Sequence, residues 1–497
     1  MKRSYPNLSR LALALAVGTG LAACSVGPDY QRPQSPPPRV ASEHLGEFSG
    51  ERREAPWWSF FDDPQLVRLV DQALARNHDI REARANLRSA RALFDDRWLD
   101  QLPQVTSQAG YSRSIEQQLD YDGEPRRRLA ESYRAGFDAQ WEIDLFGRVR
   151  RSVEAAEAQA GSREALLRNV QASVAATVAM TWFQLQGIEA ELAVVHDIAG
   201  NQRDSLEMVE RLVSAGSAHE FDRLRAEALL HNVEAAVPDL ERRRAATRNA
   251  LAVLLAEAPQ AFSPPVARAS GERLTLRTLG VGDPAGLLAR RADIAAAERN
   301  LAAATARIGV ETAGLYPQVE VRGSIGLVAG NLDALDESGT SFNVLNPVIR
   351  WALLDRGRVR ARIAASEARA QEALILYDRT VLRALQETDD AFNGYGAAAD
   401  RLRLRLLEAT ANREAARLAR ERFVQGDGEY LDVLEAERSD YLSRRALSIA
   451  RTEQRLAVVG IYKALGGGWE ACAGARRCGV ATDDTSPGVA RQRDSRS

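Results

Sequence analysis

The sequence predicts a mixed, mainly α-helical fold with an internal two-fold structural repeat. Four strands per chain enter a trimeric β-barrel of twelve strands, continuous with a long α-helical coiled-coil barrel. Three observations carry this expectation. First, the chain repeats itself roughly 210 residues apart: Trp141, Gly147, Arg148, Val149, Arg150 and Glu157 recur as Trp351, Gly357, Arg358, Val359, Arg360 and Glu367. The same spacing relates Gly216, Asp222, Leu224 and Glu227 to Gly426, Asp432, Leu434 and Glu437. Upstream it grows by about four: Asp79-Ile80 and Pro103-Gln104-Val105 match Asp293-Ile294 and Pro317-Gln318-Val319. One unit is therefore built twice, with the difference in length expected in one loop. Second, segments near 104–116, 131–142, 317–328 and 340–351 alternate apolar and polar residues, the period of a strand. Third, two stretches after Gly147 and Gly357 run roughly 67 residues without a strong breaker, about 100 Å as helix.

The elements follow in chain order. Lys2, Arg3 and Arg10 precede a short apolar run from Leu11 to Val17, too short to span a bilayer as a helix and typical of a secretory signal, residues 1–23. It ends in Leu21-Ala22-Ala23-Cys24, which resembles a bacterial lipobox, so Cys24 is the expected lipidation site. Ser25, rather than Asp, follows it, which resembles release to the outer membrane. Residues 24–56 hold Pro28, Pro33, Pro36, Pro37, Pro38 and Pro56 and read as an extended linker. Short helices are expected from about Pro64 and from Asp79 to Asp100.

In the first pair of strands, Tyr133, Ala135, Phe137, Ala139 and Trp141 share one face, while Ser132, Arg134, Gly136, Asp138 and Gln140 share the other. The second pair alternates less cleanly. Asn346-Pro347 interrupts its last strand and is where the faces are expected to swap. The first long helix, 147–214, keeps a 3-4 spacing through Leu185, Ile188, Leu192, Val195, Ala199, Gln202, Leu206, Val209 and Val213, the seam of a left-handed coiled coil. The second, 357–424, places Tyr395, Ala398, Leu402, Arg405 and Ala409 there. Gly216 and Gly426 end these helices. Return helices are expected from Glu220 to Glu257 and from Glu429 to Leu465. They are shorter than the long helices, and the helices at 79–100 and 291–313 would complete that length if stacked end to end. The repeats are bounded as 57–283 and 284–469, with a tail at 470–497.

Four amphipathic strands cannot close a membrane barrel, which needs about eight. Three chains supply twelve, so a homotrimer is inferred over the alternative of a small soluble β-sandwich on a helical bundle. The long helices are too charged for lipid and must project into an aqueous compartment. Net charge is −2, which gives no bulk attraction to nucleic acid. No catalytic constellation, phosphate loop or zinc spacing is present among the five scattered histidines, so neither enzyme activity nor a cofactor is expected. Cys472 and Cys478 could form a small disulfide in an oxidising compartment and make a poor metal site.

Five segments together resemble the outer-membrane efflux proteins, the TolC-like channel lipoproteins of tripartite RND-type pumps. They are CSVGPDYQRP from Cys24, PWWSFFDDPQLVRLVDQAL from Pro56, RADIAAAERNLAAATARIGVETAGLYPQV from Arg291, the pair WEIDLFGRVR and WALLDRGRVR, and YKALGGGW from Tyr462. Ala292 stands where the family commonly has Pro. The resemblance implies an outer-membrane channel, anchored by lipid at Cys24, that docks to a periplasmic adaptor protein and an inner-membrane pump and carries small molecules such as drugs. A duct for type I protein secretion and a rod-like structural lipoprotein without a pore are the competing readings. The resemblance also implies a periplasmic tip and gate at the helix turns: Gly216 and Gly426 at the tip, Leu431, Asp432 and Glu435 in the constricting segment, and Asp222 as the acidic partner in the first repeat. The competing reading of these acids is that they are exposed first-turn carboxylates favoured by the helix dipole. An aromatic hydroxyl and an Arg that often brace the closed tip are replaced by Phe423 and Gly428, leaving Arg211, Arg225 or Arg422 as candidate latches.

Overall fold

The computed structural model describes residues 25–33, 56–119, 125–264 and 291–466. Cys24, the signal segment, most of the Pro-rich linker, Cys472, Cys478 and the tail lie outside the described residues. After a 3-10 turn at Trp57–Phe61 come α1 (Pro64–Arg76), α2 (His78–Leu99), β1 (Gln104–Leu119), β2 (Pro125–Ile143), α3 (Arg148–Ser214), α4 (Glu220–Glu234) and α5 (Ala236–Leu254). The second half repeats the series with α6 (Ala292–Ala313), β3 (Gln318–Ala329), β4 (Ser341–Arg350), α7 (Arg356–Val424) and α8 (Tyr430–Ala464). The chain divides into two compact units, one of residues 1–36, 84–166 and 293–381, the other of 37–83, 167–292 and 382–497.

The first unit holds one antiparallel sheet in the order β1-β2-β3-β4. Register pairs Val105 with Ala139, Phe137 with Ile325, Trp141 with Val321, and Gly323 with Leu345. Because side chains alternate across a sheet, each of the four strands contributes apolar residues to one common face, where Val105, Phe137, Ile325, Leu345 and Ile349 are solvent-exposed in the single chain. The other face carries Gln104, Thr106, Asp138, Gln140, Arg322 and Ser324. An apolar face left bare, with β1 and β4 at open edges, is incomplete in water. The barrel closes only when chains associate.

Two expectations about this sheet are corrected. The faces do not swap at Asn346-Pro347: register advances one residue at a time from Leu327↔Ser341 through Val321↔Pro347 to Gln318↔Arg350. Pro347 removes one ladder donor but inserts no residue, so no bulge forms to change the faces. The weak alternation has another cause, since Phe342, Val344 and Val348 fall on the otherwise polar face. Nor does the length difference between repeats lie in a loop. The first hairpin is paired from Gln104↔Gln140 to Leu119↔Pro125, whereas the second stops at Leu327↔Ser341 and leaves residues 330–340 between its strands. The extra residues of the first repeat lengthen the strands.

The second unit contains the main core. Trp57, Trp58 and Phe61 are buried, Trp57 stacking on Tyr462 at 5.4 Å and Phe61 meeting Phe183 at 4.6 Å. Trp182, Leu251, Phe392 and Val458 join the same cluster. Asp63 fixes the start of α1 by accepting from the backbone N–H groups of Gln65 and Leu66, at 2.9 and 3.2 Å. Its second oxygen accepts from the Trp182 indole at 2.8 Å and from Gln186 at 3.1 Å. One buried carboxylate thus ties α1 to α3.

The helical seam runs as its spacing requires. Leu185, Ile188, Leu192, Val195, Ala199, Gln202 and Val209 are buried, and Leu206 and Val213 are half-buried. In contrast, α7 leaves nine large apolar side chains exposed, among them Leu374, Ile375, Leu382, Leu404, Leu407 and Leu418, while α3 exposes none. Within the chain α3 is covered and α7 is not. The return helix of the first repeat departs from expectation: it is two helices, broken at Ala235. Pro238 explains this, since it lacks the N–H for the carbonyl four residues back, that of Glu234, and its ring crowds that carbonyl. The matching α8 has no proline and runs unbroken for 35 residues.

Candidate functional site

All six residues assigned to the tip lie in the second unit, at its two helix turns. Each turn is closed the same way. The N–H of Gly216 donates to Val213 and that of Ser217 to Leu212, at 3.0 and 2.8 Å. Gly426 and Asp427 repeat this on Phe423 and Arg422, at 3.0 and 2.9 Å. This is the Schellman arrangement, which needs a left-handed residue. Gly216 has φ +73° and Gly426 φ +78°.

A small apolar cluster joins the two turns. Val209 from α3, Ala226 from α4, and Tyr430, Val433 and Leu434 from α8 are buried together, with Phe423 of α7 packed against them. The repeats therefore meet here within one chain. On α8 this buries one face and leaves Leu431, Asp432 and Glu435 exposed on the other. Asp222 is placed differently from its repeat partner Asp432. Its carboxylate accepts from the backbone N–H of His219 at 3.2 Å, closing the first turn of α4. Asp222 and Asp432 both stand in the first turn of their helices, as the helix-dipole reading requires; Asp222 closes its own turn, while Asp432 and, farther along α8, Glu435 are exposed.

The three arginines expected as latches bind locally. Arg211 pairs with Glu207 one turn back at 2.9 Å, Arg225 lies over the Phe221 ring at 4.2 Å, and Arg422 donates to the Asp427 carbonyl at 2.9 Å. None of these contacts joins separate helices. A different cluster does. Glu437, buried on α8, accepts from Gln202 at 2.9 Å and from Ser205 at 3.1 and 3.3 Å, and pairs with Arg420. Arg420 also donates to Ser205, at 3.0 Å. The sequence held one sign of it, the polar Gln202 in an otherwise apolar seam. Beside the cluster a cavity of about 570 Å³ is lined by Arg413, Arg417, Arg444 and Asp440 among others. Burial pushes the Asp440 carboxyl up, against the pull of Arg444 and Arg413. Burial, then the negative charge of Glu437, likewise raises the Tyr430 hydroxyl, which has no hydrogen-bond partner.

Two features of the first unit bear on membrane placement. Trp141 and Trp351, repeat partners, each donate an indole N–H to a backbone carbonyl, of Gln101 and Leu315, both at 3.0 Å. Tyr111 and Tyr133 pair at 4.8 Å farther along the sheet. Tyr133 and Trp141 are separated along β2 by about 26 Å, or roughly 20 Å along the barrel axis at a tilt of about 40°, a little short of the roughly 25 Å apolar band between the aromatic girdles of membrane barrels. The second feature is a clasp on the N-terminal segment. Val26 donates its backbone N–H to Phe146 O at 3.1 Å. The buried Arg151 guanidinium reaches Val26 O, Gly27 O and Asp29, at 3.3, 3.4 and 2.6 Å. Gly27 passes so near α6 that an added Cβ would stand 2.5 Å from the Gly309 Cα.

The chain resembles known proteins over most of its length. The outer membrane efflux protein family matches residues 69–257 and 284–467. The chain is 31% identical to the outer membrane protein OprJ of Pseudomonas aeruginosa, over 95% of this chain and 97% of that one. It is 32% identical to the toluene efflux pump outer membrane protein TtgI of Pseudomonas putida, covering 90% and 96%. Among solved structures, the outer-membrane channel OprN superposes with a TM-score of 0.85 at 38% identity, covering 90% of this chain and all of that one. The open-state MtrE channel of Neisseria gonorrhoeae gives 0.78 at 28% identity, covering 90% and 99%.

Proposed function

This chain belongs to the outer membrane efflux protein family, and on that premise we propose a gate for its duct and an anchor for its N-terminus. The protein is the outer-membrane channel of a tripartite pump. It is a non-catalytic homotrimer that works with a periplasmic adaptor and an inner-membrane pump to export small molecules. Each repeat, 57–283 and 284–469, supplies two strands and one long helix to the tube.

The gate lies at the turns of the long helices, with Leu431, Asp432 and Glu435 at the aperture, Gly216 and Gly426 shaping the tip, and Asp222 holding the first turn. The supporting observation is the exposed Leu431-Asp432-Glu435 face of α8, whose opposite face is packed. Three-fold symmetry would turn each acid into a ring of three, which narrows the opening and favours cations. Replacing Asp432 and Glu435 together by Ala should raise single-channel conductance in planar bilayers; conductance equal to the parent would sink the assignment.

The anchor is a lipid on Cys24. The clasp on residues 26–29 supports it, because it holds the chain just after Cys24 beside Phe146, five residues beyond the girdle residue Trp141. An acyl chain there would start at the membrane boundary, adding about 0.8 kcal/mol per buried methylene. Labelled palmitate should enter the parent protein and not Cys24→Ser. Equal labelling of both would refute the site. The relatives include a toluene pump component and, at 26% identity, the cation efflux system protein CusC of Escherichia coli. We infer that the duct accepts what its pump delivers, without selecting solvent from ion itself.

A further inference from the structure

The cluster around Glu437 carries an inference that deepens the gate and rests on placing it at Asp432 and Glu435. We propose that Glu437, with Arg420, Gln202 and Ser205, is the positioning cluster that holds the gate segment of α8 closed, and that the first repeat has no counterpart.

Glu437 lies two residues beyond Glu435 on the same helix but on its packed side. Its carboxylate is the point where three helices meet: α3 through Gln202 and Ser205, α7 through Arg420, and α8 itself. Swinging the start of α8 away from the long helices must break all of these bonds together. A carboxylate that leaves charged and hydroxyl donors inside a packed interface gives up strong, charge-assisted hydrogen bonds.

The repeat then shows that the device is single. Glu227 is the repeat partner of Glu437, yet it pairs with Arg223 on its own helix, at 3.1 Å. The partner of Arg420 is Glu210, and that of Ser205 is Ala415. An ion pair between 420 and 437 therefore becomes two acids, 210 and 227, in the other copy. Such a pair repels and cannot latch. Among the described residues, only the second repeat's return helix is tied to both long helices by a buried charge, and that helix bears Leu431, Asp432 and Glu435.

The test uses the full-length trimer in planar bilayers. Glu437→Gln keeps size and hydrogen-bonding capacity but removes the charge. It should raise the open-state population roughly tenfold, the shift that loss of a charged hydrogen bond produces. Glu227→Gln should leave gating unchanged. The exchange Arg420→Glu with Glu437→Arg should restore closure relative to either single change, a rescue that a general loss of stability would not give. Parent-like gating in Glu437→Gln, alongside raised conductance in Asp432→Ala/Glu435→Ala, would overturn the latch and leave the gate standing. Parent-like behaviour in both would remove the gate and the latch with it. If Glu437→Gln fails to assemble, Arg420→Gln carries the same prediction from the half-exposed side of the pair, and parent-like gating there overturns the proposal.

Discussion

A methyl group at Gly216 or Gly426 would sit on backbone at φ +73° or +78°, where an L side chain crowds the following carbonyl. Either change to Ala should cost about 1–2 kcal/mol, read as a lower melting temperature of the detergent-solubilised trimer. Equal melting would show that the turns relax out of the left-handed region. Burial raises the Asp440 carboxyl, and its Oδ1 has no hydrogen-bond partner. The folded chain therefore holds that proton more tightly than the unfolded chain. The stability this gives is complete below the usual carboxylate range and is lost as pH rises through the raised value. Asp440→Asn should melt above the parent near neutral pH, with the gap closing on acidification; a gap independent of pH would contradict the assignment. These residues also mark the limit of the sequence. The turn glycines were legible because their φ requirement is local. Glu437 was not, because its partners lie 17, 232 and 235 residues away in the chain.

Helices and strands were read from period, and the expectation failed at two prolines, in opposite senses. Pro238 divides the first return helix at Ala235, while the proline-free α8 runs through. Pro347 was expected to exchange faces, yet the paired register carries straight past it. Asp63 shows how one side chain holds an element in place. Asp63→Ala would remove the cap of α1 and leave the Trp182 indole buried without an acceptor. A loss of about 2–4 kcal/mol is expected, measured by melting, and a change under about 0.5 kcal/mol, the range of ordinary surface substitutions, would deny Asp63 that role. In the sheet, Phe137 and Ile325 are direct partners near mid-band. Phe137→Arg should cost about 2–4 kcal/mol of barrel stability and reduce folded trimer in the outer membrane. Gln140→Arg, on the polar face, should be tolerated. Equal tolerance would place the wrong face toward lipid.

On the scale of the whole molecule, the repeat supplied the architecture: two hairpins and two long helices per chain, one third of a twelve-stranded tube. What it could not supply is how the copies differ. Both seams were legible as spacings, but only the structure shows α3 covered within its own chain and α7 exposing a row of leucines for neighbouring subunits to bury. The same asymmetry reaches the turns. Asp222 closes its own helix, whereas Asp432 and Glu435 face outward on a helix secured from behind by Glu437. On the gate proposed for this chain, these exposed acids form the narrowest charged ring of the duct. The most direct measurement is the reversal potential of the reconstituted trimer across a potassium chloride gradient. The parent channel should be cation-selective, and Asp432→Ala/Glu435→Ala should move the reversal potential toward zero. A selectivity that survives the double substitution would place the controlling ring elsewhere in the tube.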